Sequence, residues 1–178
     1  MKRLIATIII SIIVITPAST VTAASESKSF ILGEWQEVPK VVVCEDSPAS
    51  IDAIKRGMKW WQNRGHRFNV VSLSEDRRAQ NICKNVWSSY PSGYIVITKL
   101  VKEADIDDDN LAITFVSENK TYGTVRYAKM YLKTDGLVER IIEHELGHAP
   151  GFRHLKEDGH MMHPIIPDGG WNDRKLIR

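Results

Sequence analysis

Hydrophobic positions along this chain fall alternately into short β-branched runs and into helical spacings. Val38 to Cys44 contains Val41-Val42-Val43, a run that predicts a buried strand. Ile51, Ile54, Met58 and Trp61 then recur at spacings of three and four, predicting a helix opened by Ser47-Pro48 and closed by Asn63 to Gly65. Phe68 to Leu73 reads as a second strand, Tyr94 to Leu100 as a third and Leu111 to Val116 as a fourth. Thr124 to Leu132, where Val125, Tyr127 and Tyr131 alternate about Lys129, is a fifth. Residues 25–37 read as an N-terminal arm, and the polar stretch from Ser74 to Ser89 carries no periodicity. Asp135 is placed to cap a further helix whose apolar residues Leu137, Val138, Ile141, Ile142 and Leu146 surround it on most sides. So apolar a helix must be central and buried. Strand-helix-strand order with a central helix predicts an α/β layered domain on a mostly parallel five-stranded sheet with two main helices.

The first residues change the picture of where the protein works. Lys2 and Arg3 precede an almost unbroken apolar run from Leu4 to Ile15, Thr16-Pro17 breaks it, and Val21-Thr22-Ala23 supplies small residues for cleavage. This predicts a signal peptide over residues 1–23 and a single domain over 24–178, secreted or periplasmic. A run of about twelve apolar residues is too short to span a bilayer, so no membrane anchor is expected after cleavage. Lys2 and Arg3 belong to the 24 basic residues of the chain, and the 22 that remain balance 22 acidic ones. That balance gives no reason to expect nucleic acid or an anionic membrane as partner, and a monomer is expected. Cys44 and Cys83 are the only cysteines. In an exported chain an isolated pair predicts a disulfide, with a latency thiol on a metal as the alternative.

The densest chemistry lies in His144-Glu145-Leu146-Gly147-His148-Ala149-Pro150-Gly151-Phe152-Arg153-His154. Residues four apart share a helix face, so His144 and His148 can present two imidazoles to one ion. Glu145 stands about 100° further round, close enough to reach a ligand of that ion. Gly151 can adopt a left-handed conformation that stops the helix and turns the chain back, delivering His154 as a third ligand. Three protein ligands with one open position make the catalytic type of zinc site.

HExxHxxGxxH followed by Met162 and Pro164 resembles the metzincin zinc endopeptidases, and the spacing is similar to the matrixin branch. The resemblance implies an antiparallel edge strand above the zinc and a short C-terminal subdomain beyond the glycine turn. It implies His144, His148 and His154 as ligands of one Zn2+, Glu145 as general base and Met162 as an apolar floor, the Met-turn. It also implies a substrate pocket walled by His163, Pro164, Ile165 and Ile166, whose isoleucines favour aliphatic or aromatic side chains just beyond the scissile bond. Leu111 to Val116 would be the edge strand on which an extended peptide pairs, with Ile113 and Phe115 facing inward.

Two positions depart from the family. Pro150 replaces an aliphatic residue and cannot donate to the Leu146 carbonyl, which should loosen the last helical turn. Leu155 stands where matrixins carry a serine. Glu103, Asp105, Asp107, Asp108 and Asp109 cluster before the fourth strand. They suit Ca2+, or else a merely solvated run. His160 and His163 lack ligand spacing to one another. Trp60, Trp61 and Trp87 are expected in the core, and Trp171 either fills space beneath the site or anchors the terminus. These residues together predict a zinc-dependent endopeptidase acting on protein or peptide substrates. The alternatives are a zinc-containing binding module without turnover and a zinc hydrolase of a non-protein amide such as cell-wall peptide.

Overall fold

Strands buried on both faces show continuous apolar runs, and the two central strands here do so. The computed structural model describes residues 34–86, 88, 92–100, 111–135, 137 and 140–165. The expected signal peptide, the acidic segment 103–109, Trp87, Ile166 and Trp171 lie outside the described residues. Among the described residues six strands and three helices follow in the order β1 (Glu34–Trp35), β2 (Lys40–Val43), α1 (Ile51–Gln62), β3 (Asn69–Val70), α2 (Arg77–Lys84), β4 (Tyr94–Lys99), β5 (Ala112–Asn119), β6 (Thr124–Leu132) and α3 (Ile141–His148). The mostly parallel α/β sheet expected from the strand-helix order is present, with one strand and one helix more than expected.

Strands β3, β2, β4 and β6 pair in parallel in that spatial order, and β1 runs parallel to the first residues of β6. Strand β5 pairs antiparallel along the whole of β6, from Ala112 opposite Leu132 to Asn119 opposite Thr124. It fills one side of β6, so β1 and β4 share the other. Among the described residues β5 has no second strand partner and forms the antiparallel edge.

Alternation distributes each strand between two cores. Val41, Ile95, Ile97, Ala128, Met130 and Leu132 face α1 and α3, whereas Val42, Tyr94 and Val96 face α2. The first core contains the buried Trp61 and so takes that residue as packing. Helices α1 and α3 cross at Gly57, where a Cβ would lie 2.8 Å from Ile142 Cγ2 and 3.0 Å from Leu146 Cδ1. A side chain at that crossing would force the two helices apart.

Several boundaries differ from expectation. Helix α1 is capped by Ser50, whose side chain accepts from the Ala53 amide at 3.2 Å, rather than opening at Ser47-Pro48. The strand expected over Phe68 to Leu73 shrinks to Asn69–Val70. The polar stretch holds α2, capped by Asp76 accepting from the Ala79 amide at 2.9 Å. Its buried stripe is only Ala79 and Ile82, too narrow to register as a periodicity. Among the described residues α3 starts at Ile141, six residues beyond Asp135, behind Arg140, which holds a left-handed φ of 68°. The N-terminal arm contributes β1, and Trp35 Nε1 donates to the Ala149 carbonyl at 2.7 Å.

Cys44, at the end of β2, and Cys83, in α2, are bridged with Cα atoms 5.4 Å apart and 39 residues between them in sequence number. No helix among the described residues is long and apolar enough to cross a membrane. The bridge ties the thinly packed α2 to the sheet. In the chain-entropy picture, closing a loop of this length stabilises the fold by about 4 kcal/mol. A Cys44→Ser/Cys83→Ser variant should therefore lose stability of that order in urea unfolding and still bind metal. Unchanged stability would show that the bridge constrains nothing.

Candidate metal centre

The metal centre is built on the last turns of α3 and on the two turns that follow it. After His148 the chain passes through Ala149 and Pro150 to Gly151, which has φ 99°. The Gly151 amide donates to the His148 carbonyl at 2.8 Å and the Phe152 amide to the Gly147 carbonyl at 3.3 Å. These two bonds form a Schellman stop around a left-handed glycine. Pro150 lies past the end of the helix, so its missing N–H sacrifices only the bond to Leu146. The turn sends the chain back and brings His154 to the helix.

His144, His148 and His154 converge. The Nε2 atom of His154 lies 3.3 Å from that of His144 and 3.2 Å from that of His148. Two nitrogens each 2.0–2.1 Å from one ion at the tetrahedral angle stand about 3.3–3.4 Å apart, so this donor set fits a tetrahedral ion. The other ring nitrogens fix the tautomers. His144 Nδ1 lies 2.6 Å from the Met161 carbonyl and His148 Nδ1 lies 2.7 Å from the Phe152 carbonyl. A carbonyl oxygen only accepts, so each Nδ1 carries the proton and each Nε2 presents a lone pair to the centre.

Burial keeps the rings neutral. Desolvation, reinforced by neighbouring His148, lowers the His144 pKa to about 3 even though its bond to Met161 opposes the shift. Desolvation likewise lowers His148 to about 4, against its bond to Phe152. His154 is lowered by desolvation and then by His163. Neutral imidazole is the ligating form, so the fold prepares these three side chains for a cation.

Glu145 is buried on the same helix. Desolvation raises its pKa to about 7, opposed by a hydrogen bond from the Thr114 hydroxyl. That hydroxyl lies 2.5 Å from Glu145 Oε2. Motif reading did not find Thr114, since a lone threonine in a strand carries no chemical signature. The face assignment of β5 was also inverted. Phe115, expected inward, is 47% exposed and stacks edge-on against Tyr131, whereas Ala112 and Val116 pack into the core beneath α3. Thr114 shares their side of the strand.

Met162 is buried and lies against Gly147 and Trp61, where a Cβ at position 147 would overlap the Met162 sulfur and stand 2.5 Å from Trp61 Cζ2. The neighbouring Met161 supplies the carbonyl that orients His144, a main-chain role with no trace in residue identity. Leu155 donates its amide to the Met162 carbonyl at 2.9 Å, clamping the His154 segment to this turn. His160 is buried and accepts from the Met162 amide at 3.0 Å. His163 lies close enough to depress His144 and His154, and Pro164 and Ile165 are exposed. Open clefts lie elsewhere among the described residues. One of about 400 Å³ is lined in part by Trp35, His66, Pro150 and Phe152, and another, of about 530 Å³, borders the disulfide.

No protein-family model matches this chain, and no curated protein matches it at a significant level.

Two predictions follow the geometry. In the metal-free protein, His144 and His148 titrate below their unfolded value of about 6.5, so the unfolded chain takes up protons first and stability falls with falling pH. Glu145, raised from 4.5 to about 7, works in the opposite sense over that window but is outnumbered. The thermal midpoint of chelator-treated protein should therefore drop between about pH 7 and 5, and a rise would contradict the assigned neutral rings. Gly147→Ala should cost about 1–3 kcal/mol by overpacking against Trp61 and Met162, and weaken metal uptake with it. An unperturbed melting curve would refute that close approach.

Proposed function

We propose that this protein is a zinc-dependent endopeptidase of the metzincin type, nearest the matrixin branch, working outside the cytoplasm. The observation that carries the proposal is the convergence of three histidines, with Nε2 of His144 and His148 at 3.3 and 3.2 Å from that of His154, beside a buried carboxylate on α3. An all-imidazole tetrahedral set with an open position suits zinc better than oxygen-seeking Mg2+ or Ca2+. When bound, zinc supplies Lewis acidity, polarising a carbonyl and bringing the pKa of bound water towards about 7.

The protein residues do the rest. His144, His148 and His154 hold the ion, with Met161 and Phe152 carbonyls fixing two of the rings. Glu145 takes a proton from water and delivers it to the departing amine, and its burial makes it more basic than a free carboxylate for that task. An extended peptide pairs with the outer edge of β5 through main-chain hydrogen bonds. Its side chain just beyond the scissile bond is received by the segment that begins at His163, Pro164 and Ile165. The Cys44–Cys83 bridge supports export to an oxidising compartment after removal of residues 1–23. A binding module without turnover has no use for a buried carboxylate beside the ligands, because burying one costs stability. Hydrolysis of cell-wall peptide would use the same groups and differ only in what β5 receives.

Zinc-loaded residues 24–178 should cleave a peptide library ahead of aliphatic or aromatic residues. Glu145→Ala should retain zinc and lose activity by about 10²-fold or more. Wild-type rates in that variant would rule out the mechanism.

A further inference from the structure

The contact between Thr114 and Glu145 joins two parts of the molecule that the peptidase reading treats separately. Thr114 belongs to β5, the edge strand, and Glu145 to α3, the ligand helix. The Thr114 hydroxyl lies 2.5 Å from Glu145 Oε2 and 3.3 Å from the Glu145 main-chain carbonyl. A hydroxyl has one proton to donate, and the shorter contact to the carboxylate takes it. Glu145 is only 4% exposed, so this bond restrains a side chain largely withdrawn from water. Thr114 shares the side of β5 from which Ala112 and Val116 pack into the core, and a β-branched side chain has few χ1 choices by which to swing its hydroxyl away.

We propose that Thr114 is a positioning residue for the general base. It ties down Oε2, leaving Oε1 as the oxygen presented for proton transfer, and it fastens the base to the strand on which the peptide is read. Substrate pairing and proton transfer then share one backbone element, so a peptide seated on β5 is held in fixed register with Glu145. This inference rests on the peptidase reading for its consequence, although the hold on Oε2 is a property of the folded chain.

Thr114→Val removes the hydroxyl and keeps the shape, whereas Thr114→Ser keeps the hydroxyl. With zinc bound, Thr114→Val should lower kcat roughly 10- to 100-fold, the worth of one hydrogen bond to a charged group, with KM unchanged. Thr114→Ser should recover most of the rate. Independently of turnover, NMR side-chain couplings of Glu145 should report one rotamer in wild type and Thr114→Ser and averaged rotamers in Thr114→Val. Thermal midpoints of the three proteins separate this effect from unfolding. A single unchanged Glu145 rotamer in Thr114→Val, or wild-type kcat, overturns the inference. If wild-type protein cleaves no peptide, or Glu145→Ala cleaves as fast, the peptidase reading fails, and the couplings alone then decide whether Thr114 holds the carboxylate.

Discussion

Two main-chain carbonyls, those of Met161 and Phe152, determine what the histidines of this protein can do. By accepting from Nδ1 of His144 and His148 they hold both rings in one tautomer and aim the Nε2 lone pairs at a common point. Each carbonyl depends on a turn. That of Phe152 is set by the Schellman stop, which needs the positive φ of Gly151. That of Met161 is set by the turn over residues 160–163, clamped through Leu155 and Met162 and closed by the His160 ring. The second turn lays the Met162 side chain against α3 at Gly147, so a residue with no side chain is what lets that turn come so near.

The sheet sets the depth at which this occurs. Trp61 lies under the helix, donates to the Glu143 carbonyl at 2.6 Å and stacks with Phe152 at 5.3 Å between ring centroids. The aromatic packing excludes water from one side of the site, and β5 shields another. Desolvation is accordingly the leading cause of every shift at the centre, lowering the histidines and raising Glu145. A single environment therefore yields neutral imidazoles and a carboxyl that titrates near neutrality.

What could be read from the sequence follows from where the signal resides. Thr124 to Leu132 was legible to the residue because a long alternating strand declares its period. The ligand spacing and the glycine stop were legible because they require particular residue types. Helix α2 was hidden because a disulfide and two small contacts, rather than an apolar stripe, hold it in place. The start of α3 differs from expectation because Asp135 offers cap chemistry in the sequence, whereas among the described residues the helix begins at Ile141 behind a left-handed Arg140 that no residue type announces. The Met161 carbonyl and the Thr114 hydroxyl escaped notice because one is main chain and the other is ordinary strand composition. The wrong face given to Phe115 is the usual hazard of a period of two, where one step of parity exchanges inside for outside.

The central claim is that three neutral imidazoles hold one zinc ion. X-ray absorption at the zinc edge of the loaded protein tests it most directly. Three imidazole nitrogens at about 2.0–2.1 Å, completed by a light non-protein atom and no sulfur, are the predicted shell. Fewer than three imidazoles, or a sulfur ligand, would contradict the account.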